Sequence, residues 1–183
     1  MTQDQLIHTL QEYLLNNPAD MWSVNCVIDW IEEHWEFAFV KENFDWHLTG
    51  SMVIINPEHS KILLMLHKKF GRWQQFWGHC DGEIDVCNVA LREFREESGV
   101  IIPPVLIPGI FHVAIHDIPE DKKGRPPHHH FDLLYLWVLP EDTPMNHETS
   151  EVDGIGWFTF EEACQKNQED LMKTIITKIH NLQ

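Results

Sequence analysis

Three carboxylates crowd one stretch of this chain. Glu93, Glu96 and Glu97 stand at i, i+3 and i+4, so on a helix they share one face. The apolar pattern of residues 86–98 predicts such a helix, stopped by Gly99 and sealed by Pro103-Pro104. The acidic face then lies in the last two turns, where the helix dipole already presents negative charge. Each like-charged neighbour costs a few tenths of a kcal/mol and the dipole adds about 0.3–1 kcal/mol. Arg92, four residues before Glu96, offsets only part of this. Taken alone, the cluster suits either a solvated acidic helix end or a face that holds a hard divalent cation. Mg2+ favours carboxylate oxygens and keeps several waters for substrate phosphates.

The rest of the composition limits what such a face serves. The 183-residue chain carries a formal charge of −16. That opposes binding to a nucleic-acid polymer or to an anionic membrane, both of which require Lys and Arg. A phosphate substrate is still accessible to an acidic protein when cations screen the site. Cys26, Cys80, Cys87 and Cys164 form no C-x2-C pair, and a chain of this size needs no disulfide staples. Free thiols, no secretory pattern at the N-terminus and no run of about 18 apolar residues lead to the expectation of a cytoplasmic protein.

The segment Gly78 to Val100 resembles the Nudix box, G-x5-E-x7-R-E-U-x-E-E-x-G-U with U an apolar residue. Gly78, Arg92, Glu93, Glu96, Glu97, Gly99 and Val100 fall in register, with Phe94 at an apolar position. One position departs: the first Glu is Ile84, flanked by Glu83 and Asp85. The likeness extends over residues 40–165. It includes His47 to Ser51, His67 to Gln75, Gly78-His79-Cys80-Asp81-Gly82, the alternating Pro126, His128, His130 and Asp132, and Ser150-Glu151 before Trp157, as in a bacterial subgroup of the family. The resemblance implies an α/β (α+β) fold, with a mixed β-sheet sandwiched between helices. It implies metal-dependent hydrolysis of a pyrophosphate linkage in a nucleoside diphosphate derivative or related organic pyrophosphate, with Mg2+ (or Mn2+) as cofactor.

Carried over by position, Glu96 and Glu97 ligate the metal, with the Gly78 carbonyl as a further ligand. Glu93 is another ligand or orients the nucleophile. Arg92 orients its neighbouring carboxylates through charge-assisted hydrogen bonds. The general base lies at Glu93 or at Glu151, six residues before Trp157. The departure at Ile84 supports an alternative, a nucleotide-binding or regulatory module of the same fold with weakened catalysis. An isopentenyl-diphosphate isomerase would show an Asn-Cys-Cys-Ser-His-Pro stretch, which is missing. The expected partner is a small-molecule pyrophosphate, with a homodimer left open.

Two further groups bear on substrate. His67, Lys68, Lys69 and Arg72 form the one dense basic segment, and His67, Lys68 and Arg72 are candidates for contact with substrate phosphate. His128, His130 and Asp132 alternate, so on a strand they share a face. With His112 and His116 on the preceding strand-like segment, His128 and His130 could bind substrate phosphate or a second metal such as zinc. Asp132 could fix the tautomer of one of the rings. His129 and Cys80 are read as a surface and a small loop residue, and Trp73, Phe76 and Trp77 mainly as core.

These groups need elements to position them. Leu6, Leu10 and Leu14 predict a first helix over residues 4–15. A second follows over 20–34, with Trp22, Cys26, Ile28, Trp30 and Ile31 on its apolar side. Residues 1–40 are therefore expected to form a helical extension packed on a main domain of residues 41–183. From Phe44 the texture turns to strands. Residues 50–55 and 61–66 read as a hairpin, 78–82 as a loop, 105–118, 130–138 and 157–160 as strands, and 161–182 as a closing helical segment.

Overall fold

The computed structural model describes residues 1–43, 45–120, 124–147 and 151–182. The expected strand onset at Phe44, the centre of the 120–127 loop and Ser150 of the Ser-Glu pair lie outside them. In chain order the elements are α1 (Gln3–Asn16), a 3-10 turn (Pro18–Asp20), α2 (Met21–His34), β1 (Trp46–Ile55), β2 (Lys61–His67), β3 (Arg72–Gln74), β4 (Phe76–His79), α3 (Val86–Ser98), β5 (Val105–Leu106), β6 (His112–Ile118), β7 (His128–Val138), β8 (Val152–Thr159), α4 (Phe160–Lys166) and α5 (Asp170–His180). Strand pairing follows the order β3-β2-β1-β7-β5, with β4 on β1, β6 on β7 and β8 on β2, giving a mixed sheet of eight strands. The chain divides into two compact units.

The first unit comprises Met1–Ser51, Gly78–Ala90 and Pro108–Tyr135. Thr2 and Gln5 form a capping box that starts α1, satisfying donors the helix itself leaves unpaired. Leu6, Leu10 and Tyr13 are its buried face. In α2 the buried positions are Val24, Val27 and Ile31. Trp22, expected among the apolar contacts, is 71% exposed, because two residues before Val24 it points to the opposite side of the helix; Cys26, Ile28 and Trp30 are half-buried. The two helices pack on each other and α2 packs on β6. Gly50 on β1 explains how α3 begins close to the sheet. A Cβ there would stand 2.6 Å from the Val86 carbonyl oxygen and 3.1 Å from the Ala90 nitrogen, so only glycine admits the first turns of the helix at this distance.

The second unit comprises Met52–Trp77, Leu91–Ile107 and Leu136–Gln183. The hairpin forms where expected, with Ile54 opposite Leu63. Asn56 holds its turn, its side-chain oxygen accepting the N–H groups of Ser60 and Lys61. The inner strand β2 pairs β3 on one length and β8 from Lys61↔Thr159 to His67↔Val152, with an irregularity between Leu66 and His67. Phe94 of α3 is fully buried and meets Phe76 edge-on at 5.0 Å. Gly99 ends α3 with φ +68; a Cβ there would fall 2.2 Å from the Asn146 oxygen, while Asn146 donates its N–H to the Ser98 carbonyl.

Some expected elements shift for local reasons. Residues 105–118 are not one strand: Pro108 and Gly109, the latter with φ +95, break them into β5 and β6. Gly78 and His79 belong to β4 and not to a loop, and His128 and His129 extend β7. Phe160 starts a helix because Thr159 and Glu162 form a second capping box. Asn167, whose side chain donates to the Trp73 carbonyl at 3.0 Å, separates α4 from α5. Among the described residues no helix is long and apolar enough to cross a membrane.

Candidate active site and histidine cluster

In the second unit the distal half of α3 carries Arg92, Glu93, Glu96 and Glu97. Arg92 Nη1 lies 2.7 Å from Glu93 Oε1 and 3.7 Å from Glu96 Oε2. One guanidinium therefore spans two of the three carboxylates, as the i, i+4 spacing requires. Glu97 is different. Its side chain is 5% exposed, and Oε2 is buried without a hydrogen-bond partner. Burial, then the charges of Glu93, Glu151 and Glu96, push its acid up to about 9. The helical face and Glu151, far apart in sequence, are thus within electrostatic reach of one another.

The residue types at this face fit a hard divalent cation. A buried carboxylate with an orphaned oxygen costs about 1–3 kcal/mol or more. Three further carboxylates around it add repulsion that Arg92 does not remove. A cation satisfies both at once, through oxygen donors of the kind Mg2+ and Mn2+ prefer.

Glu151 is set by the strand beside it. Lys68 donates its backbone N–H to the Glu151 carbonyl at 2.8 Å, just beyond the His67↔Val152 pair. The basic segment gathers at the same end of β2, where His67 faces Arg72 across the ladder. His67 is buried, its ring accepts the Lys69 N–H, and burial lowers its pKa below the usual imidazole value. Lys68 Nζ lies 3.7 Å from Asp153. Arg72 pairs with Glu169, donates to Gln74 and stands over the Phe70 ring. Lys68 and Arg72 are solvent-accessible.

The first unit holds Gly78, the Ile84 loop and the histidines. Gly78 is buried on β4. Ile84 is 39% exposed. Its neighbour Asp85 accepts the Asn88 N–H at 3.3 Å, so that carboxylate caps α3. The loop before it is secured by the Gly82 N–H on the Phe39 carbonyl and by Lys41 on Asp81 at 2.8 Å. Cys80 is buried.

His128, His130 and Asp132 do share a face of β7, and all three are buried. Their companions differ from those the sequence suggested. His112 turns to Tyr13 and Asp20. Asp132 accepts from the hydroxyls of Thr49 and Ser51 at 2.9 and 2.6 Å, and its imidazole neighbour is His116 at 3.5 Å. The rings that join His130 are His47 of β1 and His79 of β4. One ring nitrogen from each of the three lies within 4.8 Å of the others. Neither position stands out by spacing; only the pairing of β4 with β1 brings them to β7. Burial lowers the pKa of all three, with His79 at about 4, so the rings are neutral. His129 stacks on Trp46 and meets Asp117, a surface role as expected.

Comparison with known proteins agrees with this architecture. A search of curated proteins gave no match. Among solved structures, a NUDIX-family hydrolase from Clostridium perfringens superposes with a TM-score of 0.56 at 20% identity, covering 75% of this chain and 98% of that one. The NUDIX domain of Shewanella oneidensis NrtR complexed with ADP ribose gives 0.55 at 17% identity over 73% and 86%. A C. elegans Ap4A hydrolase gives 0.54 at 19% identity over 74% and 96%. At these identities the likeness is one of fold. The NUDIX domain family model matches residues 46–178, which takes in the acidic helix, the basic segment and Glu151. The chain belongs to the Nudix hydrolase family.

Proposed function

We propose that this protein hydrolyses a pyrophosphate linkage in a nucleoside diphosphate derivative or related organic pyrophosphate, with Mg2+ or Mn2+ held by Glu93, Glu96 and Glu97. The observation that carries the reading is the Glu97 carboxylate, buried with an unpartnered oxygen among Glu93, Glu96 and Glu151. Structures of similar fold have been solved as an ADP-ribose complex and as an Ap4A hydrolase; ADP-ribose links adenosine to ribose through a pyrophosphate and Ap4A links two adenosines through a tetraphosphate, so both contain phosphoanhydride bonds.

A bound divalent cation would screen the phosphate oxygens and acidify water for attack. The chain's own residues supply the rest. Water adds to one phosphorus, the bridging P–O bond breaks, and the other phosphate leaves with the bond's electron pair. The water proton passes to a carboxylate, Glu93 or Glu151. Arg92 holds Glu93 and Glu96 in position. His67, Lys68 and Arg72 are the groups proposed to meet substrate phosphate. The four free cysteines suit a reducing compartment, and we place the protein in the cytoplasm.

Ile84 favours a second reading, a nucleotide-binding module of weakened catalysis. Phosphate release from ADP-ribose, Ap4A and nucleotide sugars with Mg2+ or Mn2+ separates the two. Turnover that a chelator abolishes supports the hydrolase; tight binding without turnover supports the module.

A further inference from the structure

The histidine cluster of the first unit has a chemistry unlike that of the acidic helix. His47 is 1% exposed. Its Nδ1 lies 3.0 Å from the Asn43 carbonyl oxygen. A carbonyl only accepts, so Nδ1 carries the proton and Nε2 presents a lone pair. That Nε2 is buried and has no hydrogen-bond partner. His128 is arranged in the same way: its Nδ1 lies 2.9 Å from the Pro126 carbonyl oxygen, which leaves the Nε2 lone pair facing His130 Nε2 at 3.2 Å. Two ring nitrogens bound to one tetrahedral zinc at about 2.0–2.1 Å stand roughly 3.3 Å apart. The His128–His130 separation is that of two neighbouring ligands.

Backbone carbonyls on the far ring nitrogen are how zinc-binding imidazoles are usually fixed in tautomer and orientation. Two of these four rings already have them. The ring centroids lie 4.5–5.3 Å apart across the pairs His47–His130, His79–His130, His128–His130 and His47–His79. Neutral imidazole suits Zn2+, Ni2+ or Cu2+ and discriminates against Mg2+ and Ca2+.

We propose that His47, His79 and His130, whose ring nitrogens already converge, bind a transition-metal dication of the zinc class in a structural site that ties β1, β4 and β7 together, and that His128, which lies outside that group of three but touches His130, completes it as the fourth ligand by a shift of its ring. The orphaned Nε2 of His47 becomes a ligand, and the close approach of His128 to His130 becomes an edge of the coordination tetrahedron. The site does not depend on the pyrophosphatase reading, because it shares no residue with the acidic helix.

The test uses the full-length chain without a histidine tag, stripped of metal and titrated with Co2+ under visible absorption. One equivalent should bind with the intense d–d bands of four-coordinate Co2+, be displaced by Zn2+ and resist excess Mg2+. His79→Ala, at the least buried of the rings, should weaken binding by roughly tenfold or more while circular dichroism stays unchanged. His128→Ala provides an independent second variant. Glu97→Gln should leave the bands intact. A wild-type chain that gives no four-coordinate spectrum at stoichiometric metal overturns the proposal. So does a spectrum that survives both histidine variants, or one that disappears in Glu97→Gln.

Discussion

Lys68 donates its backbone N–H to the carbonyl of Glu151 at 2.8 Å. It extends the β2–β8 ladder beyond the His67↔Val152 pair, and that ladder holds a carboxylate from a distant stretch of chain within electrostatic reach of Glu97 and beside the basic segment. One of the two carboxylates proposed as proton acceptor and the groups proposed to meet phosphate are thereby positioned together by backbone pairing.

Glu151→Gln is expected to lower kcat by about 10²–10⁴-fold and to erase the acid limb of the pH–rate profile, while Mn2+ affinity measured by calorimetry changes only a few-fold. A profile with its acid limb intact assigns the base to Glu93.

Metal-free protein should lose stability as pH rises. The Glu97 acid is raised from 4.5 to about 9 in the folded chain, so the folded state holds a proton that the unfolded state has released. The stability linked to this group is fully present below about 4.5 and is lost as pH climbs toward 9, at up to roughly 1.4 kcal/mol per pH unit. Thermal melts of chelated wild type and Glu97→Gln should therefore diverge between about pH 6 and about pH 8.5. Mg2+ should restore the wild type, releasing a proton on binding. Parallel melts would contradict the assignment.

Lys68→Ala should raise KM for a pyrophosphate substrate with little change in kcat, the signature of uniform binding. Arg72→Ala should do less, because Glu169 and Gln74 already engage that guanidinium. Steady-state kinetics at two ionic strengths checks both, and the Lys68 effect should shrink in higher salt.

Gly50→Ala should destabilise the fold by about 1–3 kcal/mol or more, because its methyl group would meet the Val86 carbonyl oxygen at 2.6 Å. Urea denaturation measures this. A midpoint equal to wild type would show that α3 is not seated against β1 as described.

The acidic face was legible in the sequence because its geometry is local. A helix of 86–98 with Glu at i, i+3 and i+4 needs no tertiary information, and Gly99 marks its end by backbone conformation alone. The 50–66 hairpin was equally clear from its two apolar runs and the Asn56-Pro57 turn. Burial of Glu97 was not legible: Glu96 and Glu97 are adjacent and alike in sequence, and only packing exposes one at 61% and the other at 5%. The histidine cluster was half visible. The alternation of His128 and His130 gave one face of β7, but the choice between His112, His116, His47 and His79 as companions is made by strand pairing. Thr159 shows the limit at element ends, since it reads as strand and also caps α4.

Glu97 lies buried with an unpartnered oxygen, and the proposed divalent cation would be its partner. Mn2+ binding to metal-free protein, followed by calorimetry together with phosphate release from ADP-ribose and Ap4A, tests it most directly. Saturable Mn2+ binding and metal-dependent turnover are expected in wild type, with Glu97→Gln losing both and turnover falling by orders of magnitude. Equal Mn2+ affinity in the two proteins, or turnover that persists in chelator, would contradict it.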